Sequence, residues 1–483
     1  MLHFKKRSLL IVLAGAIWMS GCKDEDVAPV DTALASDSLS AYKSVNTWLY
    51  ELMDDAYFWY KNMPAQSSLD GTVSPYQYFE KLVYNRATVD RFSGITDDVD
   101  AMQNEFDGIS KIFGISYTLS YIDEGNSNIG AFLNYVVKGS PAEAAGLKRG
   151  DILLKVNGSQ LTADNYTSLL GSNETATFTL GTLNGSEIVA SSSTVTITKA
   201  EVSEDPVVFS SIIRKPAYGK TIGYLVYSQF VPGSSTDAEK YDNELRQAFA
   251  NFKSQGVNEL VLDLRLNSGG YISSAETLAS LIGKNISSSK TFYTEQWNDK
   301  YMAYWNRTNG TSALTYKFLD EASNIGSNLS RVFVLTSNGT ASASELVING
   351  LKPYMEVITV GENTAGKNLF GKLIGDDLNR WKWGAYIMLG QTANANGQSD
   401  YGTVNGITPT YNVEDSSIPY KAFGDENETL LRKALDVMGI PAPVNLRAEA
   451  TKNVATFRKF FRDDLRVRPD LMIKKGVIKV ENL

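Results

Sequence analysis

The 483-residue sequence predicts a multidomain α+β protein, and three features carry that prediction. Between Tyr42 and Asn104, apolar and aromatic residues recur at spacings of three and four, the period of amphipathic helices. From Phe106 to Val202 the pattern changes to short alternating runs broken by glycines, the signature of strands. Further on, Val332–Lys367 reads as strand, helix and parallel strand, a right-handed βαβ unit. With 43% hydrophobic residues, a chain of this length can bury two or three separate cores.

Residues 1–22 read as a targeting segment. Lys5-Lys6-Arg7 form a basic start, and Ser8 to Met19 an apolar run too short to span a bilayer comfortably. Met19-Ser20-Gly21-Cys22 then places small residues before the chain's single cysteine, which resembles a bacterial lipoprotein signal. That resemblance implies lipidation of Cys22 and a lipid-anchored protein of the bacterial cell envelope, facing the periplasm or the outer surface. An ordinary secretory signal or a membrane anchor is the alternative. Loss of residues 1–21 removes three basic groups and no acidic one, leaving a net charge of −11. Such a balance, with no basic patch, argues against nucleic acid as a partner. With no second cysteine, disulfides are excluded, and stability rests on the apolar cores.

Residues 23–40 are polar and read as a tether. Residues 41–105 form the expected helical domain, with Trp48, Leu49, Leu52, Met53, Tyr57, Tyr78, Phe79 and Leu82 as core rather than ligand platform. In residues 106–203, Gly139-Ser-Pro-Ala-Glu-Ala-Ala-Gly-Leu-Lys-Arg-Gly-Asp-Ile-Leu-Leu-Lys-Val-Asn-Gly158 reads as a short helix, a glycine turn and a strand. This run resembles PDZ domains, β-rich modules that add a peptide strand to a sheet edge and hold its carboxylate. The resemblance makes Phe113, Gly114, Ile115 and Ser116 the carboxylate-binding loop. A PDZ fold that only packs against its neighbour is the plainer alternative.

Residues 204–440 are the expected catalytic α/β domain, with residues 441–483 a basic extension of ten basic and five acidic residues. In that extension, residues 448–461 read as a helix and 477–480 as a short strand. Within the βαβ unit, Ser342 opens the helix and Lys367 lies in the loop after the second strand, so both belong to the carboxyl edge of one sheet. The chain's one histidine, His3, is at the amino terminus, so a Ser-His-Asp triad and a Cys-His pair are unavailable. Any nucleophilic chemistry here needs a lysine, carboxylate or tyrosine as base, and a lysine serves when burial disfavours its charged form. Histidine-based metal sites and cysteine clusters fall by the same count, and no cofactor is implied. Ser342-Ala-Ser-Glu345 also fits a capping box, and Lys367 a solvated turn residue. The readings overlap, since the N–H groups at a helix start stabilise an oxyanion.

Thr340-Ala-Ser-Ala-Ser-Glu345 followed by Gly361-Glu-Asn-Thr-Ala-Gly-Lys367 resembles the signature of the carboxyl-terminal processing peptidases. These are serine–lysine proteases with an internal PDZ domain and a catalytic domain of the crotonase/ClpP-like type. Leu262-Asp-Leu-Arg-Leu-Asn-Ser-Gly-Gly270 and Gly406-Ile-Thr-Pro409 extend the similarity across Gly108 to Ile440. The resemblance makes Ser342 the nucleophile and Lys367 the base. It implies an oxyanion hole from Ala343 and Gly269 or Gly270, and polypeptide substrates with free carboxyl termini. One position departs: many members carry a glutamine four residues after the lysine, where this chain has Gly371. Glu345, Gln391 and main-chain carbonyls are the candidates for orienting Lys367 instead. That departure keeps a rival reading open, a catalytically inactive peptide-binding protein of the same fold. An acyl-CoA enzyme of the crotonase type is disfavoured by the PDZ run and the export signal.

Overall fold

The computed structural model describes residues 32–442, apart from 124, 126, 186, 416 and 417, together with the strand 471–473. The export signal, Cys22, and the elements expected over 448–461 and 477–480 lie outside the described residues.

The catalytic region is built on a six-stranded sheet. Its order is Val207–Lys215, Lys220–Tyr227, Glu259–Asp263, Arg331–Thr336, Glu356–Gly361 and Tyr411–Asn412, antiparallel at the first pair and parallel thereafter. Parallel strands are covered on both faces, so their side chains are apolar in both directions. In Arg331–Thr336, Val332 and Val334 enter the core on one face, and Phe333 and Leu335 the core on the other. The helix Thr429–Val437 closes the second face through Leu430, Leu431, Ala434 and Leu435. The helix Ala343–Leu351 and its neighbour Ile272–Ile282 lie on the first. The expected βαβ unit is present, with Arg331–Thr336 and Glu356–Gly361 parallel neighbours.

A second sheet stands beside this core. Its order is Gly269–Tyr271, Leu471–Ile473, Leu369–Gly375, Gly384–Asn394, Thr291–Trp297 and Thr315–Lys317, and Gly94–Thr96 also pairs with Gly384–Asn394. That last pairing joins the expected amino-terminal helical domain to the second sheet. The amphipathic helices Thr32–Ala56 and Pro75–Leu82 are there, but Leu49, Met53, Tyr57 and Phe79 bury themselves in one core with Leu262, Val334 and Leu346. Too few apolar faces exist within the module to enclose them, so they are closed by the catalytic region. The first helix also begins at Thr32, inside the expected tether.

The PDZ-like region keeps a core of its own, with Phe113, Leu133, Leu153, Val156, Tyr166 and Phe178 at its centre. Its antiparallel sheet runs Ile115–Tyr121, Ile129–Val136, Ile152–Val156, Thr175–Asn184, Glu187–Thr198, which leaves Ile115–Tyr121 as an edge. The pair Ile109–Ile112 and Ala200–Ser203 forms the neck. Arg149 pins the module to the catalytic region: its Nε donates to Lys421 O at 2.7 Å, and its guanidinium lies 4.1 Å from the Phe423 ring centroid.

Beneath the carboxyl edge of the main sheet, Arg265 is fully buried among carboxylates. It donates to both oxygens of Asp263 at 2.9 Å, to Asp415 at 3.0 Å and to both oxygens of Glu428. Burial alone would push Glu428 up, but the Arg265 guanidinium outweighs it and holds the carboxyl below its ordinary range. A depressed carboxyl stabilises the fold fully above the unfolded value of about 4.3 and loses that contribution as pH falls through its lower folded value. Replacing Arg265 by Met takes from three buried carboxylates the guanidinium they share, and stability at pH 7 is expected to fall by about 3–5 kcal/mol. Urea denaturation measures it. The same titration on Glu428→Gln should give a stability less sensitive to pH below about 4.3 than the parent's.

Candidate active site

Four segments converge at the carboxyl edge of the main sheet, and one carboxylate ties two of them together. Glu345, in the first turn of the helix Ala343–Leu351, is completely buried. Its Oε2 accepts the N–H of Ser342 and the N–H of Lys367, each at 2.8 Å. Its Oε1 accepts the N–H of Gly366 at 2.8 Å and the hydroxyl of Thr364 at 2.5 Å. The residue expected as a helix cap therefore clamps the glycine turn after Glu356–Gly361 onto the start of the helix. Burial raises the Glu345 carboxyl above its ordinary value, although these four donors pull it down.

Ser342 is the N-cap of this helix and Glu345 closes the expected capping box on its N–H, but its backbone is not that of an ordinary cap. Its backbone sits at φ +63°, ψ −110°, a region that side-chain-bearing residues rarely enter. Its Oγ is buried and has no hydrogen-bond partner among the described residues. Such a conformation costs on the order of 1–3 kcal/mol and persists only where the surroundings impose it. Here the clamp at Glu345 and the N–H of Leu346 on Ser342 O at 2.8 Å impose it.

The turn Asn267–Gly270, expected as the oxyanion turn, is joined to the same helix start by Asn267. Its carbonyl accepts the Ala341 N–H at 3.1 Å and the Ser344 hydroxyl at 3.0 Å, and its side chain donates to Tyr227 O. Asn267 Oδ1 takes the N–H of Gly269 at 2.8 Å, so that donor is committed within the turn. Gly270 differs. The neighbouring Gly269 O and Tyr271 N–H bond to Phe230, which by strand alternation turns the Gly270 N–H to the opposite edge. Only glycine fits there: at φ +141° a Cβ would lie 2.2 Å from Phe230 O. Of the three sequence-derived donors, Gly270 and Ala343 keep the role open, and Gly269 is spent.

Lys367 is fully buried. Its Nζ donates to Tyr386 Oη at 3.3 Å and lies 5.0 Å from the ring centroids of both Tyr386 and Phe92. Of the orienting groups expected from sequence, Glu345 holds the main chain of Lys367, and Gln391 donates to Gln296 at 2.6 Å. Tyr386, Phe92 and Arg91 were not foreseen. Arg91 Nη2 donates to Ala365 O at 2.8 Å and Gly366 O at 3.1 Å, so the amino-terminal module buttresses the lysine turn. The missing glutamine was the available signal for Tyr386. A Cβ on Gly371 would lie 2.9 Å from Tyr386 Cζ and 2.7 Å from Ile387 O, so a side chain at 371 and this tyrosine compete for one space.

The PDZ residues form their own group. Phe113 packs edge-on against Phe178, 5.2 Å between centroids, and its carbonyl accepts from Ala142 N–H. Gly114, at φ +91°, approaches so closely that a Cβ would overlap Ser140. Ile115 and Ser116 begin the edge strand, whose next residue, Tyr117, is pushed up to about 12 by burial and by nearby Tyr166 of the helix Tyr166–Gly171.

A β-rich module with its own core, a two-sheet α/β core, and a strained serine and a buried lysine held by one carboxylate make up the described fold and its candidate site. Residues 221–413 match peptidase family S41, residues 44–94 the peptidase S41 N-terminal domain, and residues 132–180 a PDZ domain. A solved structure described as a putative S41 protease from Bacteroides fragilis is similar at 32% identity and a TM-score of 0.69, over 82% of this chain and 98% of that one. The chain is 27% identical to a carboxyl-terminal-processing protease of Picosynechococcus, over 62% of this chain and 64% of that protein. It is 30% identical to one of Synechocystis over 49% of each. The chain thus spans between about half and just under two thirds of these curated relatives. It belongs to peptidase family S41.

The clamp predicts a specific cost. In Glu345→Gln the amide NH₂ would face N–H donors that now point at a carboxylate oxygen, and stability is expected to drop by about 2–4 kcal/mol. Denaturant unfolding of that variant, beside Glu345→Asp, measures it.

Proposed function

We propose that the protein is a serine endopeptidase working through Ser342 and Lys367, exported and anchored by a lipid at Cys22, with polypeptide substrates. The observation that carries this reading is the single oxygen of Glu345 accepting the N–H of both Ser342 and Lys367. Nucleophile and base are thereby positioned by one rigid group before substrate arrives, the condition for efficient proton transfer.

The steps follow from the groups at hand. Ser342 Oγ bonds to the scissile carbonyl carbon while its proton passes to neutral Lys367 Nζ. The N–H groups of Gly270 and Ala343, the latter at the positive end of its helix, receive the developing oxyanion. Collapse breaks the C–N bond, and the lysine returns its proton to the leaving amine. Water, deprotonated by the same amine, then hydrolyses the Ser342 ester and releases a carboxylate. Tyr386 fixes the direction of Nζ, the task that the glutamine performs elsewhere in the family. The edge strand Ile115–Tyr121 of the described sheet, beside the Phe113–Ser116 loop, suits capture of a substrate's carboxyl-terminal strand.

Casein cleavage by the chain from residue 23 tests this. Ser342→Ala and Lys367→Ala should each lose at least about 10³-fold in kcat, and the parent rate should rise with pH as the base loses its proton. Wild-type rates in both variants would refute the assignment. Tyr386→Phe keeps the ring but loses the hydroxyl, and its kcat should fall about fivefold with KM unchanged. A change in KM alone would make Tyr386 a substrate contact instead.

A further inference from the structure

The second sheet is completed by an unexpected strand. Gly269–Tyr271 and Leu369–Gly375 do not pair with each other; Leu471–Ile473 lies between them. It runs parallel to both, with Gly269 opposite Leu471, Gly270 opposite Met472, Tyr271 opposite Ile473, and Gly371 opposite Ile473 on the other side. The two flanking strands are the ones that the proposed chemistry depends on. One presents the Gly270 N–H on the edge facing this position, and the other begins two residues after Lys367. A gap one strand wide between the oxyanion turn and the lysine strand is the shape through which an extended polypeptide can reach Ser342, with main-chain hydrogen bonds supplied on both sides.

We propose that the chain's own segment Leu471–Ile473 occupies the substrate's strand position, making the carboxyl-terminal tail a competitor of substrate in cis. This rests on the peptidase reading above and adds to it how a polypeptide is held. The composition of the tail fits the role. Leu471-Met472-Ile473 is an apolar tripeptide, followed by Lys474 and Lys475, in an extension carrying five excess positive charges on a chain that is acidic overall. A tethered segment needs little intrinsic affinity, because its effective concentration is in the millimolar range for linkers of suitable length. Substrate of ordinary affinity is then held back until it displaces the tail or is concentrated locally, as capture at the PDZ edge would achieve.

The test uses the full chain from residue 23 with Met472→Pro, which removes a ladder N–H and cannot continue a strand held on both sides. Hydrogen exchange, in a Ser342→Ala background, reads the slot directly. The amides of Gly371 and Gly270, the positions in register with the tail, should exchange faster in the proline variant, and a synthetic peptide of residues 466–475 should slow them again. With Ser342 restored, Met472→Pro should cleave casein about tenfold faster than the parent, the occupancy lost with one or two ladder hydrogen bonds. Unchanged exchange would overturn the proposal whatever the cleavage rate. Faster exchange with unchanged cleavage would overturn the competitor role. Faster exchange reversed by the peptide, with no cleavage by any variant, would uphold the tail's place in the slot and refute the peptidase reading instead.

Discussion

Everything at the site depends on one buried carboxylate that receives four donors. Without Glu345, neither the unusual backbone of Ser342 nor the path of the turn through Gly366 has a reason to persist. A carboxylate taken from water is costly, and here burial does raise its protonation range. The offset comes from saturating both oxygens with main-chain and hydroxyl donors, so the group acts as a fixed vertex with no lone pair left idle. Arg265 is the equivalent vertex in the layer below, where Asp263, Asp415 and Glu428 satisfy it and hold the strand end that feeds the oxyanion turn. Two polar nodes in otherwise apolar surroundings thus set the geometry, and the cores around them supply the stability.

The architecture explains why the amino-terminal module belongs to the candidate site. Its helices share the core of the main sheet, its short strand Gly94–Thr96 extends the second sheet beside Tyr386, and Arg91 and Phe92 close over the lysine turn. Lysine burial is therefore produced jointly by three stretches of the chain far apart in sequence. The PDZ-like region has its own core and a two-stranded neck, and it is held to the catalytic region by Arg149 and by Phe132, Ile152 and Leu154 packed against Ile418 and Tyr420.

Much of this was legible in the sequence because local chemistry announced it. The apolar run Val332–Leu335, the turn residues after it and the glycine-rich stretch ending at Lys367 specify a βαβ unit and both candidate residues. The Asn267-Ser-Gly-Gly270 turn marked a close backbone approach. What sequence could not give is what long-range packing decides. The aromatic stripe of the helices reads as core, but the same amphipathic pattern serves whether it closes on itself or on another domain, so its partners Leu262, Val334 and Leu346 are set by long-range packing. The capping-box pattern at Ser342 named the right glutamate but not its partners, since Thr364, Gly366 and Lys367 arrive from a different strand. Tyr386 sits in an unremarkable apolar run, Ala385 to Leu389, and acquires its place only because Gly371 leaves room. The tail strand is three residues long, below the length at which periodicity carries information.

The central claim is that Ser342 and Lys367 form one chemical unit. Intact-mass spectrometry after brief exposure to an activated acyl ester, with the adduct mapped by peptide sequencing, addresses it most directly. A single acyl group on Ser342 in the parent, absent in Lys367→Ala although that variant remains folded, is the result this account predicts. Equal acylation of Ser342 in Lys367→Ala, or an adduct confined to other residues, would contradict it.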